Sequence, residues 1–211
     1  MLDIALVSDF VCPWCYIGLR RLDSALTEVR RTRPDFVCTP RWLPFFLNPD
    51  TPPEGEPYLP FLEAKFGSRD AVEALFQRVR DAGAPYGLRY HFERIALRAN
   101  TLQAHRLVAW QQARGSAAPL VEALFRAQFV EGRPIGDPAV LREIAAECGL
   151  PAAEVETYLA GTAGITELQQ EAAAIRTAGI RQEPTFILGQ QRIVVGAEDP
   201  SVLARAILES I

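Results

Sequence analysis

Ser8-Asp9-Phe10-Val11-Cys12-Pro13-Trp14-Cys15-Tyr16-Ile17-Gly18 joins two different periodicities. Ahead of it, residues 3–10 carry Ile4, Leu6 and Val7 in a short apolar run without helical period, which predicts a buried strand starting within the first few residues. Behind it, Ile17, Leu19, Leu22, Leu26 and Val29 recur at three- to four-residue spacing, so Tyr16 to Arg31 form an amphipathic helix. Pro34 lies where that helix must stop. Residues 36–43, Phe-Val-Cys-Thr-Pro-Arg-Trp-Leu, read as a second strand. A strand, a crossover helix and a second strand give a βαβ unit with parallel strands. The Cys12-Pro13-Trp14-Cys15 pair falls at the strand-to-helix junction of that unit.

The junction has a chemistry of its own. A thiol at a helix N-terminus faces unpaired backbone N–H groups and the positive end of the helix dipole, and both favour thiolate. Free cysteine titrates near ~8.5, and such positions bring it to ~3.5–7.5. Pro13 suits a first helical turn, where its missing N–H costs nothing. Cys12 is therefore read as the exposed nucleophile and Cys15, one turn deeper, as the resolving thiol. The same spacing is half of a tetrahedral zinc site, but the chain has no second C-x-x-C and no H-x-x-x-H. Beyond the pair it holds only Cys38, Cys148, His91 and His105 as Cys or His, so no metal is expected and redox chemistry is preferred over zinc or an inert pair. Cys38 reads as a buried strand residue and Cys148 as a helix-face residue before Gly149. Asp9 and Asp3 are candidate buried carboxylates near the thiols, and Trp14 a candidate substrate platform or cover for the disulfide.

Outward from the βαβ unit the character changes. Seven of the 16 prolines fall between Pro40 and Pro60, which predicts an extended, turn-rich connection. Helical pattern then dominates to about residue 162: Tyr58–Phe66, Asp70–Gly83, Thr101–Arg114, Ala117–Val130, Pro138–Cys148 and Pro151–Leu159, with 87–92 irregular or briefly extended. Gly115, Gly132 and Gly149 stand at helix ends, where glycine supplies a left-handed cap. Residues 165–178 read as a helix ended by Gly179, 183–188 and 192–195 as a hairpin around Gly189-Gln190-Gln191, and 199–208 as a closing helix. The expected fold class is α/β: βαβ, a large all-helical insertion, then αββα. Residues 1–56 and 163–211 would build one sheet-centred domain and 57–162 the helical insertion.

At 211 residues the chain can bury a core without disulfide staples. Hydrophobic residues at 49% and charged residues at 23% exclude bulk disorder. A net charge of −4 with scattered cations argues against nucleic-acid binding. No apolar run approaches the ~18 residues of a membrane span. The N-terminal residues carry no basic n-region and no long apolar h-region, so a cytoplasmic location is predicted. Four cysteines are too sparse for a stapled secreted domain.

The chain resembles the DsbA-like branch of the thioredoxin superfamily, most closely its cytoplasmic FrnE-type members. The resemblance rests on the junction segment and on Leu47-Asn48-Pro49-Asp50, Asn100-Thr101 with Ala104-His105-Arg106, and residues 123–127. It continues through Glu131-Gly132-Arg133, Pro184-Thr185-Phe186 and Val195-Gly196-Ala197-Glu198. Spread over nearly the whole chain in the family's order, these segments imply a thioredoxin fold with a helical insertion and thiol–disulfide oxidoreductase activity through Cys12 and Cys15. They also imply a cis Pro184 beside the pair, and a cleft lined by Pro13, Trp14, His105 and the Glu183-Pro184-Thr185 loop. The implied partners are thiol and disulfide substrates, protein or small-molecule, with glutathione a candidate, and no separate cofactor. Glu183 stands where the family usually carries a small apolar residue; a carboxylate there is expected to oppose ionisation of a neighbouring thiol and to make the pair a weaker oxidant. The alternative is a glutathione-dependent isomerase or transferase of the 2-hydroxychromene-2-carboxylate isomerase type, a branch that typically has Ser in place of Cys12.

Overall fold

A computed structural model describes residues 2–189 and 192–211. Strand β1 (Ile4–Ser8) runs into helix α1 (Pro13–Thr32), which returns to β2 (Arg41–Pro44). All five residues of β1 are buried, as a central strand requires. Cys12 is the extended N-cap residue of α1 and Pro13 opens its first turn. Arg30 and Arg31 lie in the last turn, where cations complement the dipole.

β3 (Glu56–Pro57), α2 (Tyr58–Phe66), α3 (Arg69–Gly83), β4 (Leu97–Arg98), α4 (Leu102–Gln112), α5 (Ala118–Arg126), α6 (Pro138–Glu147) and α7 (Ala152–Ala160) follow. The chain closes with α8 (Ile165–Thr177), β5 (Thr185–Leu188), β6 (Arg192–Val195) and α9 (Pro200–Leu208). The main sheet has the order β2-β1-β5-β6, with β1 parallel to β2 and antiparallel to β5, and β5 antiparallel to β6. This is a thioredoxin fold with helices between its two sheet-forming segments. Strand alternation divides the core: Ile4 and Leu6 join Ile17, Leu22, Leu203 and Ile207 of α1 and α9, while Val7 joins Phe45, Ile175 and Ile180 toward α8.

Several boundaries differ from the sequence reading, each for a local reason. The first strand stops at Ser8, because the Cys12 N–H donates to the Asp9 carbonyl at 3.1 Å and turns the chain out of the sheet. The second pairs only from Arg41, opposite Ala5; Pro40 has no N–H to donate. The expected helical block also holds the antiparallel ladder β3–β4, two residues per strand and too short to leave a periodicity. The helix expected over 117–130 ends at Arg126 and widens into a π turn over Ala127–Glu131. Gly132 closes that turn at φ +72°, and a Cβ there would lie 2.5 Å from both Cβ and the carbonyl oxygen of Arg94. Gly149 and Gly179 are also left-handed, whereas Gly115 is not: α4 has already ended at Gln112. Gln190 and Gln191 of the expected turn lie outside the described residues.

Candidate functional site

The junction between β1 and α1 sets the two thiols. The Cys15 N–H donates to the Cys12 carbonyl at 3.1 Å, and the two thiols are within hydrogen-bond reach of each other as free cysteines. The Cys12 side chain makes no capping hydrogen bond to the first turn of α1. The Tyr90 hydroxyl donates to the Pro13 carbonyl at 2.8 Å and anchors the motif from the helical block. Cys15 is fully buried, and its thiol is pushed well above the ordinary range, first by burial and then by Cys12 and Glu183. Cys12 is not an exposed thiol: only 4% of it reaches solvent. Its access is a cavity of about 380 Å³ that it lines together with Pro13, Trp14 and Glu183. Trp14, 40% exposed, is the outermost of these four.

The far wall of the cavity comes from α2 and α3. Tyr58, Phe61, Leu62, Phe66 and Phe76 make it apolar, and Lys65 and Arg98 add cations. Arg98 pairs with Glu56 and stacks on Phe61, its Cζ 3.7 Å from the ring centre, and its buried Nε has no partner among the described residues. None of these wall residues stood out in the sequence, because long-range packing alone brings them to the thiols.

Glu183, in the loop ahead of β5, adds to the lining from the side of the sheet. The Glu183–Pro184 peptide bond is cis, Pro184 and Thr185 are buried, and the Thr185 hydroxyl donates to the Gln182 carbonyl at 2.7 Å. Gly18 of α1 lets this loop approach: a Cβ there would stand 2.9 Å from Pro184 Cγ. The Glu183 carboxyl is raised to about 7, chiefly by burial and by the Asp9 charge, with a hydrogen bond from the Cys12 thiol, a backbone hydrogen bond and the Lys65 charge pulling the other way.

His105 does not reach the cavity wall. It is buried between the rings of Phe10 and Phe46, with Nε2 3.3 Å from Asp9 Oδ1. Asp9 is 1% exposed and also accepts the Leu47 N–H at 2.8 Å, so it is the buried carboxylate beneath the thiols. Asp3 is not: its side chain is 57% exposed and bound to Arg41. Cys38 is buried, and the partly buried Cys148 directs its thiol to the Pro119 carbonyl at 3.7 Å. Among the described residues no cluster of three or more His, Cys, Asp or Glu could hold a metal ion, and no helix is long and apolar enough to cross a membrane.

Residues 3–208 match the family described as the DSBA-like thioredoxin domain. The uncharacterized protein YwbO of Bacillus subtilis (strain 168) is 25% identical over 211 residues, covering 97% of this chain and 94% of YwbO. The crystal structure of a probable DsbA oxidoreductase, SCO1869 from Streptomyces coelicolor, superposes with a TM-score of 0.90 at 28% identity, over 100% of this chain and 90% of that one. A 2-hydroxychromene-2-carboxylate isomerase shares the fold at a TM-score of 0.69 and 16% identity, over 98% and 95% of the two chains.

Proposed function

The chain belongs to the DSBA-like thioredoxin domain family, and from that premise we propose that it exchanges disulfides through Cys12 and Cys15, with Cys12 attacking and Cys15 resolving. The fold alone does not choose between oxidoreductase and isomerase, since both occur on it. The observation that carries the reading is the asymmetry of the pair. Cys12 caps α1 and lines the cavity, while Cys15 sits one turn in, fully buried and in hydrogen-bond reach of Cys12. A substrate disulfide entering the cavity meets one sulfur first. Negative charge on that sulfur lies at the positive end of the α1 dipole. Once a mixed disulfide forms on Cys12, Cys15 is placed to displace it.

The apolar wall from α2 and α3 favours a substrate with an apolar group next to its sulfur, whether a small thiol compound or an extended peptide segment. Glutathione is the proposed redox partner. A cytoplasmic location is part of the proposal and rests on the sparse cysteine usage.

The test is trapping. Cys15→Ser accumulates a mixed disulfide on Cys12 when incubated with oxidised glutathione or a disulfide-containing protein, and mass spectrometry identifies the attached species. Cys12→Ser accumulates none. Equal trapping by the two variants overturns the assignment of roles. In the native chain, equilibration across a glutathione redox series converts both thiols together, and failure to do so overturns the function.

A further inference from the structure

We propose that Glu183 is a catalytic residue that takes the proton of Cys12 as the sulfur attacks and returns it to the leaving sulfur of the substrate. This rests on the disulfide-exchange reading and adds to it the group that moves the proton. The geometry carries it. Glu183 and Cys12 line the same cavity, and the carboxyl is in hydrogen-bond contact with the Cys12 thiol. The loop that carries Glu183 is also held there: Pro184 packs on α1 at Gly18, and the Gly196 N–H donates to the Pro184 carbonyl at 2.7 Å.

Its surroundings leave it free to change charge. Among the described residues no ion pair includes Glu183, unlike Glu56, Glu122 and Glu131, each of which is fixed by an arginine. The groups facing it are Asp9 from the junction, Cys12 and Cys15 from α1 and Lys65 from α2. Tyr58 and Arg98 stand in the same cavity, Arg98 turned to Glu56. Burial and the Asp9 carboxylate outweigh Lys65 and the Cys12 hydrogen bond, so the carboxyl titrates at about 7. A group of that kind accepts and donates a proton near neutral pH, where general acid–base catalysis is most effective. Glu183 is thus not the fixed negative charge expected beside the thiol. The thiol with carboxylate, and the thiolate with carboxylic acid, are two placements of one proton.

The step balances. The Cys12 S–H proton passes to the Glu183 carboxylate as the Cys12 sulfur bonds to one sulfur of the substrate disulfide. The substrate S–S bond breaks, its electron pair goes to the departing sulfur, and Glu183 gives that sulfur the proton, so it leaves as a thiol. Cys15 then loses its proton to Glu183, bonds to the Cys12 sulfur and displaces the second substrate sulfur, which leaves with that proton. The substrate disulfide is reduced to two thiols by two electrons and two protons, and Cys12 and Cys15 are oxidised to a disulfide. The reverse sequence oxidises a substrate dithiol.

The experiment compares the native chain with Glu183→Gln and Glu183→Ala, each checked for native circular dichroism. Cys12 alkylation by iodoacetamide is followed across neutral pH, and the rate of exchange with a small disulfide is measured with and without added formate. The native profile shows two steps, one of them the titration of Glu183 at about 7, and Glu183→Gln lacks that one. Exchange at neutral pH falls about 10²-fold in both variants, and formate, small enough for the vacated space, restores part of it in Glu183→Ala alone. A merely structural glutamate gives no rescue by an external carboxylate. An unchanged two-step profile in Glu183→Gln, or exchange at the native rate in both variants, overturns the proposal. Glu183→Asp serves if the other two do not fold: retained two-step behaviour supports the relay and a single step opposes it. Exchange that survives in Cys12→Ser would instead overturn the disulfide-exchange reading itself, whatever Glu183 does.

Discussion

Three acidic residues singled out in the sequence meet three different environments. Asp3 is solvated and bidentate with Arg41, and its carboxyl is held below the usual range by that guanidinium. Asp9 is buried but receives the Leu47 N–H and faces His105. Glu183 is half-buried, and among the described residues no cation pairs with it, so its carboxyl rises from 4.5 to about 7. The raised value means the native state holds more protons than the unfolded chain between those two limits. Stability from this group is therefore complete below about pH 4.5 and is lost as pH rises through about 7. Glu183→Gln removes the titration. Relative to the native chain it should gain on the order of 1–2 kcal/mol on going from pH 4.5 to 7.5, the figure reduced because the carboxyl is partly solvated. Urea midpoints of both proteins at the two pH values check this, and a difference that runs the other way refutes the burial argument. Glu183 stood out in the sequence only as a departure from a family pattern. Its protonation behaviour could not be read there, since it depends on Asp9 and on burial, both set by the tertiary fold.

At the scale of elements, the site depends on how closely the loop before β5 approaches α1. The close approach is made at Gly18, where a methyl group would stand 2.9 Å from Pro184 Cγ, 3.2 Å from Pro184 Cβ and 3.3 Å from Phe186 Cζ. Neither partner can yield easily, because Pro184 is a rigid ring and Phe186 is fully buried. Gly18→Ala should destabilise the protein by about 1–3 kcal/mol through overpacking, although alanine is the better helix former. It should also slow disulfide exchange, since it moves Glu183 relative to Cys12. Denaturant unfolding and the exchange rate measure the two effects; a stabilised, fully active Gly18→Ala would show that the loop does not need this approach. Elements with many apolar repeats were legible in advance: α1 from its stripe Ile17, Leu19, Leu22, Leu26 and Val29, and α9 from Asp199-Pro200, where the Asp199 side chain accepts the Ser201 N–H. The β3–β4 ladder and the π turn at Ala127–Glu131 were not. Two-residue strands and a one-residue widening leave no period, and their hydrogen bonds go to distant partners, such as the Phe129 carbonyl accepting the His91 N–H at 2.8 Å.

At the scale of the molecule, sequence order suggested two parts, 1–56 with 163–211 and 57–162, and we propose that these unfold as one. The same buried cluster contains Ile4 and Leu6 of β1, Ile17 and Leu22 of α1, Leu107 of α4 and Phe125 and Phe129 from the end of the α5 segment. Phe10, at the junction itself, lies 5.2 Å from the Phe125 ring, and Tyr16 of α1 stacks on Phe125 at the same distance. Polar ties run the same way. Arg106 of α4 is fully buried, and its guanidinium donates to the carbonyls of Tyr158, Gly161 and Ala163, binding the helical block to the connection that leads into α8. Separating the parts would open apolar surface, remove the Ala163 carbonyl from Arg106 and break the bonds between the Gln112 side chain of α4 and the Trp42 backbone of β2 at 2.8 and 3.3 Å. The three tryptophans report on the matter, since Trp42 lies in β2, Trp110 in α4 and Trp14 at the cavity mouth. In a Trp14→Phe, Trp42→Phe variant, Trp110 emission should change at the same urea midpoint as the far-ultraviolet circular dichroism of the whole chain. A Trp14→Phe, Trp110→Phe variant should show the same coincidence for Trp42. Comparing two probes within one protein removes the stability cost of each substitution from the test. If Trp110 instead reported a transition separate from the dichroism, residues 57–162 would have a stability of their own, and the Tyr90 anchor on Pro13 would be able to release while the sheet stayed folded.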